Sequence, residues 1–126
     1  MKIYGTGVDI VSTDRISSVY VKYGERFLRR ILSETEQREF FAEGEKTSYL
    51  AKHFAAKEAV AKALGIGINN GLSFSAIKIK HTAQGKPRVD IKFPASLQDE
   101  YAGLDISLSI ADEQEYAVAF ALAASL

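Results

Sequence analysis

The chain reads FAAKEAVAKAL at residues 54–64, and this stretch decides much of its fold. Eight of its residues are apolar, and the other three are Lys57, Glu58 and Lys62. At about 100° per residue, Lys57 falls on the same helical stripe as Phe54, so a charge interrupts the apolar face. The alanines allow neighbouring backbone to approach closely on several sides. We therefore expect a largely enclosed helix that carries a Lys-Glu-Lys set.

Asp9 is the second unusual charge, because it lies between β-branched residues in the segment Gly7–Val11. A carboxylate near the end of a strand must be solvated, paired or bound to a metal, since burying it alone is costly. Plain alternatives remain open for both features. A helix cap or an edge-strand charge would account for Asp9, and a simple i,i+4 ion pair would account for Glu58 and Lys62.

Taken together, Asp9 and Glu58 suit a Mg²⁺ ion, which is usually bound by one or two carboxylates and completed by water and substrate phosphates. Lys57 and Lys62 would then neutralise phosphate oxygens. The turn Gly85-Lys86-Pro87 adds an exposed amide and an ammonium group suited to a further phosphate. The residues by themselves therefore favour a metal-assisted phosphate or nucleotide site.

Length and composition limit the class of protein. At 126 residues and 13.8 kDa, the chain is predicted to form one domain over residues 1–126. Its 16 basic and 16 acidic side chains cancel, which disfavours a nucleic-acid-binding protein. It has no cysteine, which excludes disulfides, thiolate zinc sites and a cysteine nucleophile. With no signal-peptide pattern and no apolar run of membrane-spanning length, we expect a soluble cytoplasmic protein.

Periodicity and capping signals predict an α+β fold, in which an N-terminal strand and several helices precede an antiparallel β region. Ser33 and Glu36 form a capping box at the start of one of these helices. Residues 117–124 show no alternation, which indicates a strand covered on both faces, and in a small domain another subunit can provide one of the covers. The predicted helices span residues 14–22, 25–32, 34–43, 45–64 and 94–102, and the predicted strands span residues 2–11, 74–82, 88–93, 104–110 and 116–124.

Nearly end to end, the chain resembles the holo-[acyl-carrier-protein] synthase family, the group-I 4′-phosphopantetheinyl transferases. The segments that carry the resemblance are Gly5-Thr6-Gly7-Val8-Asp9-Ile10, Arg15, Phe54–Ala59 followed by Lys62–Gly65, Gly85-Lys86-Pro87, and Ser107–Glu113 followed by Tyr116-Ala117. Two positions depart from the family pattern. Ile66 stands where a threonine is common, and Asp112 stands where many members have a histidine.

The resemblance implies a reaction in which the 4′-phosphopantetheine arm of coenzyme A is transferred to a serine of an apo-acyl carrier protein. The products are holo-acyl carrier protein and adenosine 3′,5′-bisphosphate. The resemblance also implies a Mg²⁺ cofactor and a homotrimer with each site in a cleft between subunits. A non-catalytic subunit that binds coenzyme A or a nucleotide is the alternative, although such a subunit would not need both Asp9 and Glu58.

On this interpretation, Asp9 and Glu58 hold the metal, and Glu58 is the candidate base for the serine proton. Lys62, one turn further along the helix, meets the developing negative charge. Lys57 or Lys86 anchors phosphates of coenzyme A, together with Lys62 and the neighbours Gly85 and Pro87.

Ser109, late in a predicted strand, is a candidate nucleotide contact. Independently of the resemblance, residues 12–30 contain more basic than acidic side chains. Such a patch suits an acidic carrier protein. Within it, Arg15 and Arg26 are predicted to bind the carrier.

Overall fold

The computed structural model describes residues 1–68 and 70–125. Its β-strands are β1 (Lys2–Ser12), β2 (Ile77–His81), β3 (Pro87–Ile91), β4 (Leu104–Asp112) and β5 (Tyr116–Ser125). Its α-helices are α1 (Thr13–Tyr23), α2 (Glu25–Ile31), α3 (Glu34–Ala42), α4 (Thr47–Leu64) and α5 (Ala95–Tyr101). The α+β class predicted from the sequence is confirmed.

The strands form two antiparallel sheets. One sheet has three strands in the order β1-β5-β4, and the other is the β2-β3 hairpin. The predicted strand over 74–82 is wrong at its start, because Phe74–Ala76 forms a 3₁₀ turn whose Ala76 carbonyl accepts a hydrogen bond from the Lys92 N–H. This bond continues the β2-β3 register by one step, and β3 itself ends at Ile91, two residues before the predicted end at residue 93.

Helix α4 packs against the three-stranded sheet, and glycines in β1 allow it to lie very close. A Cβ atom on Gly7 would overlap the carbonyl oxygen of Ala59, and one on Gly5 would overlap that of Ala63. Most of α4 is buried, as its alanine content predicted. This close approach places the strand that carries Asp9 directly on the helix that carries Glu58.

The opposite face of the three-stranded sheet is only partly covered. In β5, Ala117, Ala119, Ala121 and Ala123 share one face and are buried, whereas Phe120 on the other face is 46% exposed. Its cross-strand neighbour Val8 is 56% exposed, and Ile10 is 64% exposed. Within one chain, exposure along residues 117–124 alternates up to Ala123, and cover of the second face by another subunit stays a prediction.

A second apolar core lies among α1, α2, α3 and the first half of α4, with Leu28, Ile31, Phe40 and Leu50 at its centre. The predicted capping box is confirmed, since Ser33 Oγ accepts from the Glu36 N–H and Glu36 Oε1 accepts from the Ser33 N–H. Within the two described ranges, no helix combines the length and hydropathy needed to cross a membrane.

Candidate active site

A cleft of about 970 Å³ opens beside the helical core. Its wall contains two carboxylates, those of Asp9 and Glu58, and three guanidinium groups, those of Arg15, Arg26 and Arg30. The rest is largely apolar. A cavity that combines opposite charges with apolar surface is suited to a ligand that carries phosphate groups and an extended uncharged portion.

Asp9 reaches the cleft because it shares the α4-facing side of β1 with Gly7, two residues earlier. Lys62 Nζ lies 3.2 Å from Asp9 Oδ1 and 2.9 Å from the carbonyl oxygen of Val8, and donates to both. The Asp9 side chain is only 18% exposed, whereas that of Lys62 is 51% exposed. The carboxylate is therefore mostly enclosed while its cationic partner remains accessible.

Glu58 is close enough to Asp9 for the two charges to interact. Partial burial raises the pKa of the Glu58 carboxyl, the negative charge of Asp9 raises it further, and the ammonium of Lys62 opposes both effects. Two partly desolvated carboxylates that repel each other form a donor set that a divalent cation would stabilise. Across residues 1–68 and 70–125, no three histidine, cysteine or acidic side chains cluster as a complete metal cage, so an ion here would need water or substrate oxygens as further ligands.

Both predicted carrier-binding residues lie on the cleft wall. Arg15 is in the first turn of α1, whose cap is Ser12: the Arg15 N–H donates to Ser12 Oγ at 3.3 Å. Arg26, in α2, has its guanidinium carbon 5.9 Å from the ring centroid of Tyr23. Arg30, another member of the basic patch over residues 12–30, also lies on the cleft wall, one turn after Arg26 on α2.

Lys57 does not reach the cleft. Its ammonium is fully buried and donates to the carbonyl oxygens of Ile31 and Phe74 and to Glu36 Oε1. An ammonium group has three N–H donors, and all three are used here. This leaves Lys57 no donor for a coenzyme A phosphate, so we correct its predicted role to a structural one within this chain.

The Gly85-Lys86-Pro87 turn and Ser109 also lie outside this cleft. The turn closes the β2-β3 hairpin, where the Lys86 N–H donates to Thr82 Oγ1 and Pro87 begins β3. Ser109 is exposed on β4 and pairs with Phe120, on the sheet face that points away from α4. Within one chain, these residues and the pair Asp9 and Glu58 belong to separate surfaces.

The sequence reasoning identified Glu36 only as a capping residue. In the structure it is also the partner of Lys57, and its Oε2 accepts from the Ile79 N–H at 2.9 Å. The apolar stripe that Lys57 interrupts was the sequence signal for such a partner, because a lysine buried in a core requires a buried acid or carbonyl oxygens nearby.

Comparison with known proteins identifies the family of this chain. A family model described as the 4′-phosphopantetheinyl transferase superfamily matches residues 5–121. The holo-[acyl-carrier-protein] synthase of Shewanella amazonensis is 46% identical over 123 residues, which are 97% of this chain and 98% of that protein.

Solved structures show a similar fold. The crystal structure of holo-[acyl-carrier-protein] synthase from Neisseria meningitidis has a TM-score of 0.87 and 45% identity, and the match covers 96% of this chain and 98% of that one. A holo-(acyl-carrier-protein) synthase from Bacillus anthracis, in complex with CoA (3′,5′-ADP), has a TM-score of 0.82 and 33% identity over 100% of both chains.

Proposed function

The chain belongs to the 4′-phosphopantetheinyl transferase superfamily, and we infer that it transfers the 4′-phosphopantetheine arm of coenzyme A to a serine of an apo-acyl carrier protein. The products are holo-acyl carrier protein and adenosine 3′,5′-bisphosphate. The observation that carries the inference is the meeting of Asp9 and Glu58 on the wall of one cleft. Phosphoryl transfer depends mainly on positioning and charge stabilisation, which these residues and Lys62 can supply.

Asp9 and Glu58 would hold a Mg²⁺ ion, because paired carboxylates with few other protein ligands suit this ion. When bound, the ion supplies a Lewis acid that neutralises phosphate oxygens. The remaining chemistry belongs to the side chains of this chain.

Glu58 accepts the proton of the carrier serine, directly or through a water molecule, as the serine oxygen attacks the phosphorus. Its raised pKa makes it a stronger base than an ordinary glutamate. Lys62 faces the negative charge that develops on the departing bisphosphate. Its exposed ammonium, held at 3.2 Å from Asp9 Oδ1, is placed beside the carboxylates without being buried among them.

We propose that the chain assembles as a homotrimer through the outer face of the three-stranded sheet. Support comes from the exposed side chains of Val8, Ile10 and Phe120, which adjoin across β1 and β5. An apolar patch of this kind on a sheet typically marks a protein–protein contact. The number three comes from the family resemblance.

The same assembly would bring the second half of the site to each cleft. The Gly85-Lys86-Pro87 turn and Ser109 lie outside the cleft of their own chain. We propose that they contact coenzyme A in the cleft of a neighbouring subunit, with the Lys86 ammonium on a phosphate and Ser109 on the nucleotide.

The carrier protein binds at the arginine-bearing wall. Arg15 and Arg26 are exposed on α1 and α2, beside the cleft that contains Glu58. An acidic carrier would be attracted to this wall, and its serine would enter beside Glu58. Complementary charge of this type accelerates encounter and fixes orientation.

The test is a transfer assay with purified apo-acyl carrier protein, coenzyme A and Mg²⁺, read by intact-protein mass spectrometry. We expect the carrier mass to increase by one phosphopantetheine arm, and the increase to disappear with a chelator. An unchanged carrier mass, with coenzyme A binding retained in calorimetry, would contradict the proposal and favour a non-catalytic coenzyme A-binding subunit.

A further inference from the structure

Lys57 and Glu36 form an ion pair that is almost completely enclosed. Lys57 Nζ lies 2.7 Å from Glu36 Oε1, and the two side chains are 0% and 2% exposed. Burial lowers the pKa of Lys57, and the charge of Glu36 opposes this effect. Burial raises the pKa of Glu36, but Lys57 and the N–H groups of Ile79 and Ser33 outweigh it and bring the pKa below its usual value.

The pair connects parts of the chain that are remote in sequence. Lys57 Nζ donates to the carbonyl oxygen of Ile31, at the end of α2, at 2.7 Å. It also donates to the carbonyl oxygen of Phe74, in the 3₁₀ turn, at 3.0 Å. Glu36 extends the connection to β2 through its bond from the Ile79 N–H. One ammonium on α4 thus holds α2, α3 and the 3₁₀ turn in fixed positions.

Both carbonyl acceptors belong to residues that line the cleft. Ile31 and Phe74 are part of the cleft wall, and Ile31 directly follows Arg30. On α4, Lys57 directly precedes Glu58. The buried ammonium therefore joins the wall that carries the arginines to the turn of helix that carries the proposed base.

Stability alone gives a weak reason for such a pair, because apolar side chains of similar volume often stabilise a core equally well or better. Directional hydrogen bonds have a different effect, since they fix the positions of three acceptors relative to one nitrogen. Apolar side chains at positions 36 and 57 would leave the carbonyl oxygens of Ile31 and Phe74 without the ammonium donor.

We propose that Lys57 is a positioning residue, and that its ammonium sets the distance between the arginine-bearing wall of α2 and Glu58. This proposal rests on the transfer function described above. Lys57 acts on carrier binding through Ile31 and Phe74 and touches no substrate. Loss of the ammonium weakens the carrier complex, while coenzyme A binding changes little.

Three variants of the full chain separate positioning from stability. Lys57→Met removes the ammonium and leaves the Glu36 charge buried without its cation. The double variant Lys57→Met/Glu36→Gln removes that charge as well and keeps an oxygen for the capping box. Glu36→Gln alone keeps the ammonium and its bonds to the carbonyl oxygens of Ile31 and Phe74.

The measurements are the melting temperature, the Kd for apo-carrier by calorimetry, and kcat and KM for the carrier and for coenzyme A. We expect the double variant to melt above Lys57→Met, because it has no unpaired buried charge. We expect both variants to raise the carrier Kd and KM about fivefold relative to the wild type. Glu36→Gln should keep the carrier constants within about twofold, and all three should keep the coenzyme A KM within the same range.

The proposal would be overturned if the double variant had the same carrier Kd and KM as the wild type. It would also be overturned if the carrier Kd rose in step with the fall in melting temperature across the three variants, because loss of stability would then explain the weaker binding. If neither methionine variant folds, the carrier Kd of Glu36→Gln tests the proposal. This variant keeps the ammonium and its bonds to the two carbonyl oxygens, so a fivefold weaker carrier complex in it would contradict the role of the ammonium. Failure of the wild type to modify the carrier would instead refute the transfer function, and the carrier Kd would still report on positioning.

Discussion

Lys62 Nζ lies 3.2 Å from Asp9 Oδ1, across 53 residues of sequence, and ties the last turns of α4 to β1. The same nitrogen donates to the carbonyl oxygen of Val8 at 2.9 Å. Asp9 is therefore oriented by a cation that itself remains half exposed. This contact fixes the carboxylate beside Glu58 and gives the proposed chemistry its geometry.

Neutral replacement of either carboxylate should remove the proposed ion and most of the activity. We expect Asp9→Asn and Glu58→Gln each to lower kcat by about tenfold or more, since the charge that holds the ion is lost. Mg²⁺ affinity in the presence of coenzyme A, measured by calorimetry, should fall in parallel. Asp90→Asn on the exposed face of β3 is the control and should keep both values. Near-normal turnover in both variants, with circular dichroism unchanged, would remove the metal assignment.

The contact between β1 and α4 makes Gly7 sensitive to any side chain. Because a Cβ atom there would overlap the carbonyl oxygen of Ala59, we expect Gly7→Ala to lower the free energy of unfolding by about 1–3 kcal/mol. Thr6→Ala, on the opposite face of the strand, should cost less than about 1 kcal/mol. Urea unfolding would measure both, and equal losses in the two variants would argue against close packing as the cause.

Reversing the charge of Arg15 should affect the carrier and spare coenzyme A. We expect Arg15→Glu to raise the carrier KM about tenfold and to reduce its salt dependence, because an attraction becomes a repulsion. Arg38→Glu on α3 is a matched control outside the cleft. Steady-state kinetics at two salt concentrations would measure the difference. If the carrier KM of Arg15→Glu matches that of the wild type, the docking wall is placed wrongly.

The outer sheet face should control assembly. Val8→Lys combined with Phe120→Lys places charges on the exposed apolar patch, and we expect sedimentation velocity to show monomers where the wild type shows trimers. Phe41→Lys, at a comparably exposed aromatic residue on α3, should leave the assembly intact. A wild type that sediments as a monomer at all concentrations would contradict the proposed trimer directly.

His53 should make stability depend on pH in a defined window. Burial lowers its pKa from 6.5 to about 4, and its Nδ1–H donates to the carbonyl oxygen of Tyr49 at 2.8 Å. Between these two pKa values the unfolded chain binds a proton that the folded chain does not, so stability falls as pH decreases from 6.5 to 4. The loss is at most about 3 kcal/mol.

Denaturant unfolding between pH 7 and pH 4 would test this, with His53→Gln expected to show a smaller loss than the wild type. His81→Gln is the control, because His81 is exposed. The contribution of Glu36 lies in a lower window: its pKa is below 4.5 in the folded chain, so its stabilisation is full above that value and is lost as pH falls further. Equal pH dependence in His53→Gln and the wild type would be inconsistent with a buried neutral histidine.

Short-range signals in the sequence predicted much of the fold. The Ser33–Glu36 capping box lies where expected, and the alanine-rich helix is enclosed as expected. Asp9 and Glu58 were expected to act together, and both line one cleft. Capping and periodicity involve residues a few positions apart, and motif residues are recognised by type, so these features can be recognised without knowing the fold.

Long-range contacts were not predictable in the same way. The sequence marked Lys57 as a charge on an apolar stripe but gave no indication that Glu36, 21 residues away, would be its partner. It also did not show that the β2-β3 hairpin stands apart from the three-stranded sheet.

The sequence alone predicted an α+β domain with two carboxylates and a lysine that are suited to phosphate chemistry. The tertiary structure was needed to show that Lys62 stays half exposed beside Asp9 while Lys57 is enclosed, although both belong to α4. The physical reason is that a helix presents each side chain in a direction set by its position, whereas the packing of β1, α2 and α3 around it determines which direction meets solvent.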